Sequence, residues 1–362
     1  MSNPEKVYFV GLDVHKDYST YAIMDKEGNL FKEGNIPNSQ LSSLPLLVEN
    51  GSKILTIETT RNWYSIYDSL EEKFDKIFLA NTYKTKIIGE AKIKTDKISA
   101  RILADLTRAN LLPKAYIPSK QVRNIRELLR TRFSFVEMRT RIKNKIHSVL
   151  SKNGIICPYT DILCKRSIEW LREISENFYF TYRKEIKSYI EVAEKIKEKI
   201  SEIDRDIEEI VLQNEEAKIV DSHPGIGYYL ALLITMEIVE IERFNNVKKL
   251  IKYSRLAPGV ISSGGKRYYT HLVKEGSKWL CYGFIEAAKS IIRGRLDEDL
   301  LNYYLQVKSR HGSGAATIAL ARKIVINVYY MLKYKKRYEE FKNNRRGSSC
   351  LLNVWAENAP FC

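Results

Sequence analysis

The stretch VYFVGLDVHKD, residues 7–17, decides the fold of the N-terminal part of this chain. Its first eight residues are mostly β-branched, aromatic or small, which predicts a buried strand. Asp13 lies at the end of that strand. A carboxylate removed from water is costly unless a partner such as a metal ion compensates its charge. The stretch therefore predicts a strand that carries an acidic functional residue at its end.

The charge of the chain indicates a polyanionic partner. Lys and Arg number 60 against 44 Asp and Glu, which leaves a net charge of +16. Nucleic acid is the simplest partner for such an excess. An anionic membrane would use the same charge, but no run approaches the roughly 18 apolar residues of a spanning helix. The start, MSNPEKVYF, does not have the pattern of a signal peptide. We therefore expect a cytoplasmic, nucleoid-associated prokaryotic protein with no membrane contact.

The five cysteines are scattered along the chain and contain no C-x-x-C pair. Neither a disulfide framework nor a zinc site follows from them.

Residues 1–118 have the pattern of an α/β domain. Short strand-like segments are separated by turn residues, and we predict strands at 7–14, 19–25, 30–36, 53–58 and 76–80. Helical segments are predicted at about 39–49, 62–73 and 96–110. Three strands in a meander, followed by strands that alternate with helices, is the order of an RNase H-like (RuvC-like) fold.

The next segment, 119–155, is predicted to be a basic helix. From residue 119 to 152 it carries ten Lys and Arg against two acids, beside a buried apolar stripe. Such a charge run is either a solvated face or a surface for phosphate backbone. We predict nucleic-acid contact by Arg123, Arg126, Arg130, Arg139, Arg141, Lys143 and Lys145.

Residues 156–218 are predicted to form a helical coiled coil. Apolar residues alternate spacings of three and four, at positions 186, 189, 193, 196, 200, 203, 207 and 210. The partner of this seam is either a second chain or the chain's own helix near 166–182. A mainly α-helical domain is expected at 219–346, followed by a tail at 347–362 that has no usable period.

Three acids are candidates for a metal site. Asp13 ends the first predicted strand, Glu58 ends the fourth, and Asp96 opens a helix. Neighbouring first and fourth strands would bring the first two acids to one end of the sheet. Carboxylate oxygens suit Mg²⁺ or Mn²⁺, and paired metals assist phosphoryl transfer. Taken singly, each acid could also be a helix cap or a surface charge.

The motifs GLDVHKD, IETT and KTDKISARILADL closely resemble those of the DEDD-type insertion-sequence transposases, a family of bridge-RNA-guided recombinases. The segments HPGIGYYLALLITMEI, RFNNVKKLIKYSRLAPGVISSGGK and ARKIVINVYYML are similar to the C-terminal transposase domain of that family, in the expected order. The resemblance covers about residues 7–335.

The resemblance implies catalytic metal ligands at Asp13, Glu58 and Asp96. The fourth acid of the family pattern falls on Ser99, which supplies no charge. Asp105 lies nine residues after Asp96, about half a rotation away on a helix, so it does not replace that acid. The serine therefore puts a second metal, and with it cleavage, in question.

The resemblance also implies that Ser263 attacks DNA and forms a phosphoserine. Ser262, which precedes it in the loop GVISSGGKRYY, is the less favoured candidate. By composition alone this loop is a flexible turn. A hydroxyl nucleophile needs activation, which a metal could supply. Beside it, Lys266 and Arg267 are candidate nucleic-acid contacts.

The segment HPGIG precedes an apolar helix. Its Gly225 and Gly227 either allow a phosphate to approach a helix N-terminus or form a tight structural turn.

We therefore expect a transposase or recombinase that cleaves and exchanges DNA strands. The resemblance implies guidance by a structured non-coding RNA, Mg²⁺ or Mn²⁺ as cofactor, and a dimer or tetramer. Two alternatives stay open. One is a metal-dependent junction nuclease that does not need Ser263. The other is a nucleic-acid-binding relative whose catalysis is impaired by Ser99.

Overall fold

The computed structural model describes residues 6–48, 51–88, 95–263 and 266–347. For residues 86–88, 260–263, 266–271 and 344–347 it describes the backbone alone. The chain divides into two compact units, one ending at Pro118 and the other beginning at Ser119. The first is a mixed α/β sheet domain and the second is mainly helical.

The first unit contains a six-stranded sheet with the order β3-β2-β1-β4-β5-β6. Strands β1 to β3 form an antiparallel meander, β4 and β5 run parallel to β1, and β6 is antiparallel to β5. The strands are β1 Val7–Val14, β2 Tyr18–Met24, β3 Leu30–Pro37, β4 Ser52–Glu58, β5 Lys76–Ala80 and β6 Lys114–Ala115. The five predicted strands are confirmed, as is the pairing of the first with the fourth.

The helices of this unit are a 3-10 helix at Asn38–Leu47, α1 at Trp63–Leu70, α2 at Thr82–Ile88 and α3 at Asp96–Arg108. The helical segment predicted at about 39–49 is a 3-10 helix. Pro45 lies inside this segment and has no N–H to donate, so a longer α-helical ladder cannot form. Helix α2 and the two-residue strand β6 were not predicted.

The two faces of the central strand β1 have different neighbours. Val10 and Leu12 belong to an apolar cluster that also contains residues of the 3-10 helix and α1. The opposite face carries Gly11 and Asp13, because side chains alternate along a strand. Helix α3 packs against this second face. Asp13 therefore lies on the side of the sheet that α3 covers.

Gly11 permits the close approach of α3 to the sheet. A Cβ atom at this position would lie 2.0 Å from the carbonyl oxygen of Ala100 and 2.7 Å from the amide nitrogen of Ala104. Both are backbone atoms, which cannot move without moving the helix. Next to this contact, Thr56 on β4 hydrogen-bonds Thr107 of α3 at 2.6 Å. The position of α3 is thus fixed by direct backbone packing and by a buried hydroxyl pair.

The second unit is built from nine α-helices among its described residues, together with a β-hairpin. The helices are α4 Lys120–Lys152, α5 Lys165–Ser175, α6 Phe180–Gln213, α7 Glu215–Asp221, α8 Tyr228–Ile238, α9 Val247–Tyr253, α10 Lys278–Gly294, α11 Glu298–Tyr334 and α12 Tyr338–Gly347. A 3-10 helix spans Ile241–Arg243, and the hairpin strands are β7 Pro258–Ser263 and β8 Lys266–Leu272.

The apolar seam of α6 packs mainly against α4 of the same chain. Ile186 shares a buried cluster with Ile146, and Ile207 shares another with Leu129. The two helices are therefore antiparallel. Helix α5, the internal partner suggested by sequence, contacts the N-terminal half of α6, through Leu171 and its neighbours and through an ion pair between Arg172 and Glu194.

Helix α11 is apolar enough, by length and composition alone, to span a membrane, which the sequence analysis did not anticipate. However, 67% of its apolar window is buried inside the protein, as in a core helix. Gly312 has φ 82° and ψ 169°, so α11 is two helices that meet at a kink. The second of these supplies much of the core of this unit, including Leu320, Ile324 and Val328.

His223 is a buried polar residue in the same core, with 1% of its surface exposed. Its Nε2 lies 3.1 Å from Nδ2 of Asn327, and its Nδ1 lies 2.8 Å from the carbonyl oxygen of Pro224. Asn327 Nδ2 can only donate, so Nε2 accepts and the proton is on Nδ1. Burial lowers the pKa of His223 from 6.5 to about 4. The imidazole is therefore neutral in the folded protein near neutral pH.

Gly11→Ala should lower the free energy of unfolding by several kcal/mol, because the new methyl group forces α3 away from β1. Overpacked cores typically lose about 1–3 kcal/mol, and a backbone clash lies at the upper end of that range. Urea unfolding of the full chain measures the loss. Gly227→Ala is the control, since nothing lies within 4 Å of the added Cβ. Equal stability of the two variants would contradict the packing described for Gly11.

Stability should fall as pH decreases from about 6.5 to about 4, because the unfolded chain protonates His223 in this range and the folded chain does not. A difference of about 2.5 pKa units corresponds to about 3 kcal/mol, with no contribution above pH 6.5. Urea unfolding at pH 7.5 and pH 5 should show about 2 kcal/mol of this loss, since the rest develops below pH 5. His223→Gln should reduce this pH dependence, whereas His147→Gln, at an exposed position of α4, should not.

Candidate functional site

Asp13 lies at the C-terminal end of β1 and is 7% exposed. In the parallel pairing of β1 with β4, Leu12 is opposite Ile57. The next residues in register are Asp13 and Glu58, so both acids are on the face of the sheet that α3 covers. This is the arrangement that the sequence predicted for the two strand ends.

Asp96 is the first residue of α3 but does not cap it. The N-cap is Thr95, whose hydroxyl accepts a hydrogen bond of 3.3 Å from the amide of Ile98. The capping role considered for Asp96 is therefore filled by its neighbour. The Asp96 carboxylate, half exposed, instead accepts a hydrogen bond of 3.3 Å from the hydroxyl of Tyr18 on β2.

His15 completes a cluster that sequence analysis did not assign. Its Nε2 lies 3.1 Å from Oδ2 of Asp96 and 4.0 Å from Oδ2 of Asp13. One ligand atom from each of the three residues lies within 4.8 Å of the other two. The signal was present in GLDVHKD, since His15 is two residues after Asp13 and extended residues two apart share a face.

The donor set of this cluster suits a divalent cation. Two carboxylates and an imidazole are ordinary ligands of such ions. Nε2 of His15 is buried and, despite its short distance to Asp96, has no aligned hydrogen-bond partner. Converging donor atoms that do not bond to each other are what a cation site requires. The residues present therefore fit a metal ion, which the carboxylates of Asp13 and Asp96 would hold.

Glu58 and Ser99 are near this cluster in the fold but are not members of it. Among the residues with described side chains, the group of mutually close ligand atoms contains Asp13, His15 and Asp96 only. Ser99 is one helical turn after Asp96, and its amide donates to the carbonyl oxygen of Thr95. Asp105 pairs instead with Arg108 at 2.6 Å, as expected from its position on α3.

The hairpin β7–β8 contains the candidate nucleophile. Its antiparallel register pairs Ser263 with Lys266 and Ser262 with Arg267. Both serines and both basic residues are thus in the last two pairs before the turn. Their side chains, and all of the Gly-Gly pair at 264–265, lie outside the described part of the chain.

The basic residues of α4 divide into two groups. Arg123 is 3% exposed, and Arg126 and Arg130 face Glu237 at the end of α8, each at 3.5 Å from its Oε1. Arg126 also donates to the carbonyl oxygen of Met236 at 2.9 Å. Arg123 and Arg126 point into the unit, which does not fit the phosphate contact expected for them. The side chain of Arg130 is 28% exposed and also pairs with Glu127, so its expected contact is not excluded.

Glu237 explains the orientation of Arg126 and Arg130. It is 4% exposed, and a buried carboxylate needs compensating charges and hydrogen bonds. Arg126 and Arg130 supply the charge, and the hydroxyl of Ser277 donates to Oε2 at 2.9 Å. The cluster links α4, α8 and α10.

The second group is in the C-terminal half of α4. Arg141 and Lys145 are exposed and Arg139 is partly exposed. Lys143 forms a salt bridge of 2.7 Å with Asp161. This half of the helix is the part that remains available to a phosphate backbone.

The two glycines of HPGIG have different surroundings. Gly225 has φ +83°, and a Cβ there would lie 2.7 Å from the carbonyl oxygen of Ala287 on α10. It is thus needed for a tight turn and for helix packing. Gly227 is the N-cap of α8, is exposed and has open space around it. Asp204 and Glu208 line the cavity beside it together with Arg132 and Arg205, so that cavity has mixed charge.

Comparisons with known proteins agree with the motifs. A family model for DEDD transposases of IS110 elements matches residues 10–154, and a model described as "Transposase IS116/IS110/IS902 family" matches residues 217–305. The chain is 23% identical over 351 residues to the transposase for insertion sequence element IS1111A of Coxiella burnetii, covering 92% of this chain and 91% of that protein.

A further relative is the transposase for insertion sequence element IS1328 of Yersinia enterocolitica, 22% identical over 326 residues, with 88% of this chain and 94% of that protein covered. The first family match covers most of the first unit and continues through α4 of the second, and the second match lies within the second unit, in the expected order. Together these similarities support a transposase of an IS110-family insertion sequence.

Proposed function

We propose that this chain cleaves and rejoins DNA strands for its insertion sequence through an RNase H-like metal centre and a phosphoserine at Ser263. The observation that carries the proposal is the convergence of Asp13 and Asp96 at one end of β1. The strand order, an antiparallel meander followed by parallel strands beside β1, supports the RNase H-like interpretation.

The acidic residues and Ser263 have separate roles in the proposed reaction. When bound, a divalent cation polarises the phosphodiester and offsets charge that develops on its oxygens. Asp13 and Asp96 would hold it, with Glu58 on the same face of the sheet. Buried Asp13 would keep its position because β1 is paired on both sides.

Ser263 would act as the nucleophile. Its Oγ forms a bond to phosphorus as the bond from phosphorus to one deoxyribose oxygen breaks. The serine proton is lost and the leaving oxygen gains a proton, so the step is balanced. A hydroxyl of another strand then attacks the phosphoserine, restores Ser263 and joins the new pair of ends. This two-step route conserves the energy of the broken phosphodiester bond.

Guidance of this reaction by a structured non-coding RNA is part of the same proposal, as is a dimer or tetramer that brings two duplexes together. The net charge of +16 supports binding of two nucleic acids. The exposed Arg141 and Lys145 on α4, with Arg139 beside them, are the proposed backbone contacts of this region. Lys266 and Arg267 are proposed contacts near the nucleophile.

One observation favours a different outcome. Ser99 takes the place of an acid in the family pattern, and a hydroxyl is a weak ligand without charge. A relative that binds nucleic acid but does not cut it would retain the basic surface and lose the chemistry. A junction nuclease would instead cut without Ser263.

Ser263→Ala should abolish a covalent protein–DNA adduct that the unaltered chain forms. The assay combines purified protein, labelled DNA across the element's junction, RNA from its flank, and Mg²⁺ or Mn²⁺, and resolves products on denaturing gels. Ser262→Ala is the matched control and should retain the adduct.

Cleavage that survives Ser263→Ala would identify the junction nuclease instead. Binding without any scission, and without rescue by Ser99→Asp, would identify the impaired relative.

Arg141→Gln combined with Lys145→Gln should weaken binding to DNA or RNA without changing stability. Each lost phosphate contact lowers the slope of log affinity against log salt by about 0.7–0.9, so the pair should lower it by about 1.4–1.8. Filter binding at several salt concentrations measures the slope.

The matched comparison is Arg126→Gln, which leaves buried Glu237 less compensated and should cost roughly 3 kcal/mol of stability. A reduced salt slope with unchanged stability in Arg126→Gln would contradict the division of α4 into an internal and an exposed group.

A further inference from the structure

We propose that His15 is a direct ligand of the divalent cation, so that the metal centre of this chain joins two carboxylates and an imidazole. The inference deepens the proposed function and rests on its metal centre. It begins from geometry: Nε2 of His15 lies 3.1 Å from Asp96 and 4.0 Å from Asp13. A ligand nitrogen must lie near both carboxylates, and these distances meet that condition.

The backbone around His15 is held in place by the side chains of Asn38 and Asn62. The carbonyl oxygen of His15 accepts hydrogen bonds from Nδ2 of Asn38 at 3.0 Å and from Nδ2 of Asn62 at 3.2 Å. Its amide donates to the carbonyl oxygen of Tyr18 at 3.0 Å. The turn between β1 and β2 is therefore fixed from both sides, as preorganised binding sites require.

Tyr18 orients two of the ligands together. Its ring packs against the His15 imidazole with centroids 4.8 Å apart, and its hydroxyl donates to Oδ2 of Asp96 at 3.3 Å. Outer partners of this kind fix the rotamers of metal ligands, and their loss usually costs 10- to 100-fold in metal affinity. One side chain thus holds both a nitrogen and an oxygen donor toward the same point.

The sequence gives a reason for a nitrogen ligand at this site. Where the family pattern has a fourth acid, this chain has Ser99, so one negative ligand is missing from the α3 side. His15 enters from the β1 side and adds a third strong donor to Asp13 and Asp96. It brings no negative charge when neutral, so a centre of two carboxylates and an imidazole holds two units less negative charge than a four-acid site.

Replacing a carboxylate oxygen by an imidazole nitrogen changes which metal ion the site prefers. Mg²⁺ selects oxygen ligands, whereas imidazole binds later divalent metals progressively better, in the order Mn²⁺, Fe²⁺, Co²⁺. A centre that contains His15 should therefore discriminate against Mg²⁺ more strongly than an all-carboxylate centre. The predicted ligand is a first-row transition metal ion.

The test is metal binding by the full chain, with no reaction needed. Metal-free protein is titrated with Mn²⁺, followed by the paramagnetic resonance of the free ion, and with Co²⁺, followed by its visible absorption. Mg²⁺ affinity is obtained by competition against Mn²⁺. His15→Ala should weaken Mn²⁺ binding by at least about tenfold, in line with the loss of a metal ligand, and should alter the Co²⁺ spectrum.

Two further variants make the result specific. His15→Asp restores an oxygen donor and should bring the affinities for Mn²⁺ and Mg²⁺ closer together by about tenfold, which a merely structural role for His15 would not produce. His311→Ala, at an exposed position of α11, should leave binding unchanged. Thermal unfolding of each metal-free variant shows whether it is folded.

The outcomes separate this inference from the proposed function. Unchanged Mn²⁺ and Co²⁺ binding in His15→Ala, with binding lost in Asp13→Ala, would overturn the role of His15 and leave the carboxylate centre standing. No binding of any of the three ions by the unaltered chain would overturn both.

Discussion

The proposed metal centre depends on a contact between two backbones. Helix α3 lies against β1 at Gly11, where there is no side chain to hold it away. The first residue of that helix is Asp96, and two residues after Gly11 along the strand comes Asp13. The distance between the two carboxylates is therefore set by how closely helix and sheet approach. Glycine is required at position 11 because a Cβ atom there would clash with the backbone of α3. The separation of the two carboxylates at the end of β1 depends on this close approach.

Asp13 and Asp96 are positioned by ordinary features of strand and helix structure. Asp13 ends a strand that is paired on both sides, and Asp96 follows a threonine that caps the helix. Because Thr95 satisfies the free amide of the first turn, the carboxylate of Asp96 is not needed for capping. Functional geometry is often assembled in this way, with a neighbouring residue taking the structural role.

Much of the first unit could be predicted from the sequence, because its strands are short apolar runs between clear turn signals. The five main strands and the positions of Asp13 and Asp96 follow from those patterns. Strand β6 could not be predicted, since two residues have no periodicity. His15 was missed for a different reason: a lone histidine after a strand has many roles, and only the fold brings Asp96 beside it.

Helix α4 shows that charge composition does not predict the direction of each side chain. Charge density predicted one binding surface along α4, but a count of positive residues does not show where each one points. The buried Glu237 lies on α8, more than a hundred residues later, and it draws Arg126 and Arg130 into the unit. Such a pairing of distant residues leaves no local signal. The exposed residues of the same helix are the ones for which the composition argument still holds.

The antiparallel packing of α4 on α6 has a consequence for how subunits can meet. An a/d seam has one apolar face, and here most of that face is covered by helices of the same chain. Ile200 and Ile207 are buried within a single copy, so they are not available to pair with another. Substituting them would be expected to unfold the helical unit rather than to separate subunits. Contacts between copies would have to be made by other faces, so a heptad pattern in this chain reports tertiary structure and not stoichiometry.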